Sequence, residues 1–421
     1  MKWIYGILGI LFAVPAASQT NPLIANDSIA QQEWVAREYE RMSPEARIGQ
    51  LFMVMAASQP EGKEAEARRI RDLISKYQPG GIIFSRGTPQ TQIELTNAFQ
   101  KASEVPLLIA MDAEWGLAMR LDSTYAFPWN MTLGAVQDTA LIAEIGYQIG
   151  THARRMGVHL NFAPVVDINT NPENPIIGNR SFGEDPARVS RQATHLMRGM
   201  QRAGVLCTAK HFPGHGDTSV DSHKALPQVP YDRQRLDSVE LAPFRELIEA
   251  RLSTVMVAHL DVPVLTGVAG EPTSLSRRML QQVLQGELGF EGLICTDALN
   301  MKGVTGYDAA ENASLAAFLA GNDLLLMPED LERDHQVLLE AYRSGQIPEA
   351  RLARSVKKIL MAKYKAGLSQ SRPVEADGLH EDLNTPGNDL LYEKVMESAI
   401  TVLKNRADII GIKNLENKKI T

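Results

Sequence analysis

The sequence predicts an α/β protein built on a (β/α)8 TIM barrel. Eight short apolar or β-branched runs recur along the chain, amphipathic stretches separate them, and polar residues follow the ends of several runs. Strands that alternate with helices form a parallel sheet, and eight such units favour closure into a barrel. The predicted strands are residues 51–55, 81–85, 106–112, 159–167, 205–211, 254–259, 292–297 and 323–328.

The stretches between these runs have the period of an amphipathic helix. In residues 137–156, Ile142, Ile145, Ile149 and Met156 recur at helical spacing on one face. Residues 233–251 repeat the pattern with leucine, phenylalanine and isoleucine. We therefore expect each strand to be followed by a helix that packs on the outside of the barrel.

Side chains suited to chemistry stand at the carboxyl ends of the predicted strands. Barrel enzymes build their active sites at that end. An open doubly wound sheet would carry a glycine-rich first turn, and no Gly-x-Gly-x-x-Gly follows a predicted strand. The strand-end residues are Asp112, Asp167, Lys210, His211, His259 and Asp297.

The chain divides into four predicted parts. Residues 1–18 read as a signal peptide, because Lys2 precedes an apolar run too short for a membrane span and small residues follow it. We expect cleavage after Ser18 and a periplasmic or secreted protein with no stable membrane span, although an uncleaved anchor stays open. The other parts are a barrel over 35–368, a polar linker over 369–389 and the start of a truncated α/β domain over 390–421.

Composition excludes several classes of partner. The net charge is −7, with 44% hydrophobic and 22% charged residues, so the chain is an ordinary globular protein and nucleic acid is not expected as a partner. The two cysteines, Cys207 and Cys295, lie in apolar runs and read as small buried hydrophobes. We expect a monomer with no cofactor and no metal.

The loop 210–223, KHFPGHGDTSVDSH, concentrates three histidines, two aspartates and a lysine just after a buried run. Ionisable groups gathered where a buried strand emerges indicate a site that binds polar ligands or moves protons. This loop, ICTDALNM at 294–301 and NRSFG at 179–183 resemble motifs of glycoside hydrolase family 3. Within that family they resemble the β-N-acetylglucosaminidase branch, often called the NagZ type, over about residues 35–368.

The resemblance implies a retaining exo-β-N-acetylglucosaminidase acting on peptidoglycan fragments (muropeptides) or related oligosaccharides. A retaining glycosidase needs an ionised carboxylate nucleophile and a group that protonates the leaving oxygen. Asp297 matches the nucleophile, His223 the acid/base and Asp221 its partner. An imidazole, with a pKa near about 6.5, can give and take a proton near neutrality.

The family motifs also imply the residues that bind the sugar. Lys210 and His211 match the pair that binds sugar hydroxyls, Arg180 matches an arginine near the non-reducing sugar, and Asp112 matches a hydroxyl-binding aspartate. The resemblance further implies a non-proline cis peptide bond near Lys210–Phe212. Trp115 departs from the family pattern and could add a stacking surface.

Structural alternatives remain for several of these residues. Asp297 could cap the next helix, and Lys210 could be a solvated loop residue. Arg180 could pair with Glu184 or Asp185. His215 favours a structural role, and His259 fits either the site or the core. Two of the candidate sugar-binding residues, Lys210 and Arg180, therefore keep a structural alternative.

Other functions also remain open. Lys210, His211, His215, His259 and Asp297 could mimic a metal-dependent barrel hydrolase, but residues 51–58 lack the expected His-x-His. A non-catalytic sugar-binding module is disfavoured, since both candidate catalytic groups are present. A family 3 β-glycosidase or phosphorylase of different sugar specificity also stays open. Phosphate could replace water as the acceptor, because a neutral histidine repels phosphate less than a carboxylate does.

Overall fold

The computed structural model describes residues 21–220, 225–307, 312–370 and 372–406. In that part of the chain, eight parallel strands form one sheet in which the first seven strands stand side by side in chain order. Strand β8 pairs with β1. The strands are β1 Phe52–Ser58, β2 Gly81–Gly87, β3 Leu108–Met111, β4 Leu160–Asn161, β5 Leu206–Phe212, β6 Thr254–Val257, β7 Leu293–Thr296 and β8 Leu325–Leu326.

The two ends of the sheet meet, which makes it a nearly closed barrel. The Thr296 N–H donates to the Leu324 carbonyl at 3.1 Å, and the Leu324 N–H donates to the Ile294 carbonyl at 3.0 Å. These bonds bring β7 beside the start of β8. The predicted (β/α)8 TIM barrel is confirmed.

Helices connect successive strands, as the amphipathic stretches predict. After β6 the connection is a π-helical segment, Arg278–Glu287. The α-helices are Ser28–Arg41, Pro44–Gly49, Lys63–Tyr77, Pro89–Ala102, Asn130–Ala135, Thr139–Arg155, Pro186–Arg202, Arg233–Ser238, Ala242–Glu249, Pro263–Thr266, Lys302–Thr305, Ala313–Ala320, Leu331–Arg343, Glu349–Lys365, Leu379–Leu383 and Pro386–Ala399.

The helices Thr139–Arg155 and Pro186–Arg202 show how sequence sets this packing. Each begins after an aspartate whose carboxylate accepts a backbone N–H of the first turn. The first buries the predicted isoleucine face. A Cβ added at Gly146 would lie 2.2 Å from the Leu196 carbonyl oxygen, so the close contact of the two helices requires glycine there.

The barrel core is apolar and the cysteines belong to it. Cys207 and Cys295 are both buried and free, as expected of small hydrophobes. The strands β3, β5, β6 and β7 are buried along their whole length. Residues that follow these strands are therefore held on rigid backbone at one end of the barrel.

The segment after the barrel packs against its outer surface. Helix Leu379–Leu383 is anchored by Asp382, whose carboxylate accepts from Arg155 Nε at 2.7 Å. Helix Pro386–Ala399 buries Leu391 and Val395. Residues 369–389, expected to be a linker, thus include a short helix and the start of a longer one.

Two predicted segments lie outside the described residues: the signal peptide at 1–18, and residues 407–421 of the predicted second domain. Within the described ranges, no helix combines the length and the apolar character needed to cross a bilayer.

Candidate active site

A cavity of about 480 Å³ opens at the carboxyl end of the strands. Asp112 directly follows β3, and Asp297 directly follows β7. Five predicted site residues line it together: Asp112, Arg180, Lys210, His211 and Asp297. The other two, Asp221 and His223, lie outside the described residues.

Lys210 joins two carboxylates at the floor of this cavity. Its Nζ lies 2.7 Å from Asp112 Oδ1 and 2.9 Å from Glu114 Oε1. Burial alone would lower the pKa of Lys210, but the two carboxylates outweigh it and raise that pKa. Since Lys210 is only 2% exposed, it is a buried, charged group and not a solvated loop residue.

The two carboxylates stay ionised for the same reason. Burial would raise the pKa of Asp112, but Lys210 and Arg120 lower it further than burial raises it. Arg120 Nη2 donates to Asp112 Oδ2 at 2.7 Å. The pKa of Glu114 is likewise lowered, because Lys210 and Arg180 overcome the effect of burial.

Arg180 binds Glu114 through two parallel hydrogen bonds. Its Nε and Nη2 donate to Glu114 Oε2 and Oε1 at 3.0 and 2.7 Å. This bidentate geometry fixes the guanidinium plane. The alternative pairing of Arg180 with Glu184 or Asp185 is wrong: its carboxylate partner is Glu114.

Asp167 orients His211. Asp167 Oδ2 lies 2.7 Å from His211 Nδ1, and Asp167 Oδ1 accepts from the His215 N–H at 2.7 Å. His211 Nε2 faces Arg180 Nη2 at 3.3 Å. Because a guanidinium only donates, this contact assigns the imidazole proton to Nδ1. Burial would raise the pKa of Asp167, but the two histidines lower it.

Asp297 is held at the end of β7 as an ionised group. Its N–H donates to the Val257 carbonyl, and its Oδ1 accepts from the Ala298 N–H, both at 2.8 Å. Burial would raise the pKa of Asp297, but the nearby His211 and His259 imidazoles, the Ala298 amide and Lys210 together lower it. A carboxylate that is ionised, fixed and faces a cavity suits a nucleophile.

His215 and His259, the two histidines whose roles the sequence left open, have different surroundings. His215 lines the cavity, and its Nδ1 lies 2.6 Å from Thr218 Oγ1. His259 is fully buried, with Nδ1 2.7 Å from Ser274 Oγ and Nε2 3.0 Å from the Ala298 carbonyl oxygen. His259 is therefore a hydrogen-bonded core residue behind the Asp297 loop.

The backbone beside Lys210 carries the expected cis bond. The Lys210–His211 peptide is cis, and so is Phe212–Pro213. The non-proline cis bond implied near Lys210–Phe212 is confirmed. It lies within the strand end that supplies two of the candidate sugar-binding side chains, Lys210 and His211.

Trp115 belongs to a stacked pair of indoles next to this site. Its ring lies 4.3 Å from that of Trp129, at an interplanar angle of 11°. Trp115 follows Glu114, and Trp129 precedes Asn130, whose Nδ2 donates to the Arg180 carbonyl at 2.7 Å. One face of the Trp115 ring is thus covered by Trp129, which is itself 43% exposed.

Three supporting residues were not assigned roles from the sequence. Glu114 stands two residues after Asp112, and Asp167 is a strand-end aspartate, so their positions marked both as candidates, but the sequence did not reveal their partners. Arg120 had no motif to mark it. Among the described residues, no group of three or more His, Cys, Asp or Glu side chains is arranged to hold a metal ion.

The chain is similar to known proteins in sequence. Residues 44–362 match the family model described as the glycosyl hydrolase family 3 N-terminal domain. Beta-hexosaminidase A of Pseudoalteromonas piscicida is 36% identical over 368 residues, which is 80% of this chain. The match spans 61% of that relative's length.

Solved structures to which the chain is similar include a member of the same family. A glycoside hydrolase family 3 β-N-acetylglucosaminidase from Paenibacillus sp. str. FPU-7 is 38% identical with a TM-score of 0.79, covering 86% of this chain and 70% of that one. The β-glucoside phosphorylase BglX, bound to 2FGlc, is 27% identical with a TM-score of 0.85, covering 93% and 71%. The chain belongs to glycoside hydrolase family 3.

Proposed function

We propose that this chain is a retaining exo-β-N-acetylglucosaminidase. One observation carries the proposal: the ionised Asp297 carboxylate faces the same cavity as Asp112, Arg180 and Lys210. A nucleophile and a cluster of charged hydrogen-bonding groups are what a glycosidase needs to attack one sugar that it holds by its hydroxyls.

In the first step, an Asp297 oxygen attacks the anomeric carbon while the bond from that carbon to the leaving oxygen breaks. We assign the proton for the leaving oxygen to His223, with Asp221 as its partner. In the second step, water gives a proton to His223 and attacks the anomeric carbon, and the bond to Asp297 breaks. Two inversions leave a product with the β configuration.

The charged cluster binds the sugar in this scheme. Asp112 and Glu114 accept hydrogen bonds from hydroxyls, whereas Lys210 and Arg180 donate to them. Ionised partners strengthen such bonds. Since these groups already hold one another in place, little ordering is required when the sugar binds.

N-acetylglucosamine is the sugar that the relatives support. The names of the Pseudoalteromonas relative and of the Paenibacillus structure both specify hexosaminidase or N-acetylglucosaminidase activity. We further propose peptidoglycan fragments or related oligosaccharides as substrates. The sequence of residues 1–18 supports an exported, periplasmic or secreted location.

Phosphorolysis of a β-glucoside is the second candidate. The structural neighbour with a TM-score of 0.85 is named a β-glucoside phosphorylase. In that reaction phosphate, instead of water, would attack the glycosyl-enzyme. The sugar released would then carry phosphate on its anomeric carbon.

An assay with two aryl β-glycosides tests the proposal. The N-acetylglucosaminide and the glucoside are each turned over with and without inorganic phosphate, and products are identified by NMR. We expect free β-N-acetylglucosamine from the first substrate, at a rate that phosphate does not increase. Preference for the glucoside, or formation of a sugar phosphate, would contradict the proposal. Asp297→Asn is the inactive control.

A further inference from the structure

A second cavity, of about 440 Å³, lies at the opposite end of the barrel from the candidate active site. Gly157 and His159, which line it, stand just before β4, whereas the active-site residues follow the strands. Arg154 from the preceding helix and residues 366–368 from the end of the barrel also line it. Its volume falls in the range of small-molecule pockets.

His159 directs a hydrogen-bond donor to this cavity. The ring is only 8% exposed, and its Nδ1 accepts the Ile109 N–H at 3.1 Å. The proton of the neutral ring is therefore on Nε2. No described residue accepts from Nε2, which borders the cavity and is open to a ligand or to water.

Arg154 adds an uncompensated positive charge. Its Nη1 donates to the Ala366 carbonyl at 2.8 Å, but within the described ranges no carboxylate lies within 4.0 Å of its guanidinium. Burial and the charges of Arg154 and Lys363 lower the pKa of His159 to about 3. The imidazole is thus a neutral donor in a positive electrostatic environment.

The other charged residues that line the cavity do not neutralise Arg154. Arg155 also lines the cavity, but its Nε is paired with Asp382 at 2.7 Å. Arg372 contributes a third guanidinium. Glu375, the acidic residue of the lining, is exposed and forms no ion pair with these arginines in the described part of the chain.

We propose that this cavity binds a small anionic metabolite, whose phosphate or carboxylate group accepts hydrogen bonds from Arg154 and His159. An oxyanion would satisfy the Nε2 donor and compensate the free charge at once. Guanidinium groups bind phosphate and carboxylate in bidentate geometry. The site is independent of the candidate active site and of the reaction proposed for it.

Thermal unfolding with inorganic phosphate or malonate tests the site, at pH 7 and with ionic strength held constant by NaCl. A ligand that binds only the folded state raises Tm with its concentration. We expect a saturable rise in Tm with at least one anion, and a shift of the His159 Nε2 resonance in 15N NMR. The anion that acts at lower concentration identifies the ligand group.

Variants separate this site from binding elsewhere. Arg154→Gln should lower the affinity for the anion at least tenfold, and His159→Gln should lower it less. Arg154→Lys should keep part of the affinity that Arg154→Gln loses. Arg71→Gln, which removes an exposed guanidinium outside the cavity, is the matched control and should leave binding unchanged. The proposal is overturned if neither anion raises the Tm of the unmodified protein. It is also overturned if the anion raises the Tm of the Arg154→Gln variant as much as that of the unmodified protein.

Discussion

The Lys210 ammonium lies 2.7 Å from Asp112 Oδ1, although 98 positions separate the two residues in the chain. Strand β3 ends just before Asp112, and β5 carries Lys210, so the pair crosses the mouth of the barrel over β4. Charged groups that neutralise one another in this way can remain ionised while buried. The cavity is therefore polar and largely preorganised for a polyhydroxylated ligand.

Glu114→Gln should destabilise the fold and weaken substrate binding. Glu114 is 1% exposed and holds both Arg180 and Lys210, so its loss leaves the buried Lys210 and the partly exposed Arg180 each short of a partner. We expect a loss of about 3–5 kcal/mol in the free energy of unfolding, measured in urea. The exposed Glu291→Gln is the control and should change it by less than about 0.5 kcal/mol. Equal stability of both variants would contradict this account.

Asp167→Asn should impair activity through His211. An amide N–H facing Nδ1 would oppose the tautomer that Asp167 now fixes, and a proton moved to Nε2 would face the Arg180 donor. We expect kcat/KM to fall by about 10- to 100-fold while the protein stays folded, because a hydrogen bond to a charged group contributes about 1.5–3 kcal/mol. The 15N spectrum of His211 should show the change of tautomer. An unchanged spectrum would show that Asp167 does not set the tautomer.

Acid should destabilise the protein through the carboxylates whose pKa values are lowered. Asp112, Glu114 and Asp167 all have folded-state pKa values below their ordinary 3.8 or 4.5. The unfolded chain therefore binds more protons as pH falls below about 5. These carboxylates contribute their full stabilisation of the fold at pH values above their unfolded-state pKa values. That stabilisation is lost as the pH falls through their folded-state pKa values. Urea unfolding at pH 7, 5, 4 and 3 should show decreasing stability, and a flat profile would contradict these shifts.

The fold could be predicted because each strand is a local feature of the sequence. Periodicity located all eight strands, although the predicted strand 159–167 is shorter in the structure. Its regular ladder is confined to Leu160–Asn161 and is interrupted near Pro164, which has no N–H to donate; pairing resumes only as a bridge between Val165 and Lys210. A local pattern of apolar residues cannot specify where a sheet ladder stops.

The site was less predictable because its contacts join distant loops. Resemblance assigned Arg180 to sugar binding, but Glu114, its partner, is 66 positions away in the chain. Side-chain direction decides that pairing, whereas sequence proximity suggested Glu184 or Asp185. Asp167 was recognisable by its position after a strand, but its contacts with His211, at the end of β5, and with His215, in the turn after β5, join residues that are 44 and 48 positions away in the chain.

His223→Ala should separate substrates by their leaving groups. If His223 protonates the leaving oxygen, its loss should slow natural disaccharides strongly but spare the first step for aryl glycosides with good leaving groups. Hydrolysis of the intermediate would then limit turnover, and azide should accelerate it. The measurement compares kcat for both substrates with and without azide. An equal loss on both, with no azide effect, would assign the proton transfer to another group.

The most direct test of the central claim is mass spectrometry of the His223→Ala variant, acid-quenched during turnover of an aryl β-N-acetylglucosaminide. If Asp297 is the nucleophile, a peptide containing Asp297 should carry one N-acetylglucosaminyl group, and Asp297→Asn in the same background should abolish the adduct. An adduct on another residue, or its persistence in the Asp297→Asn variant, would contradict the account.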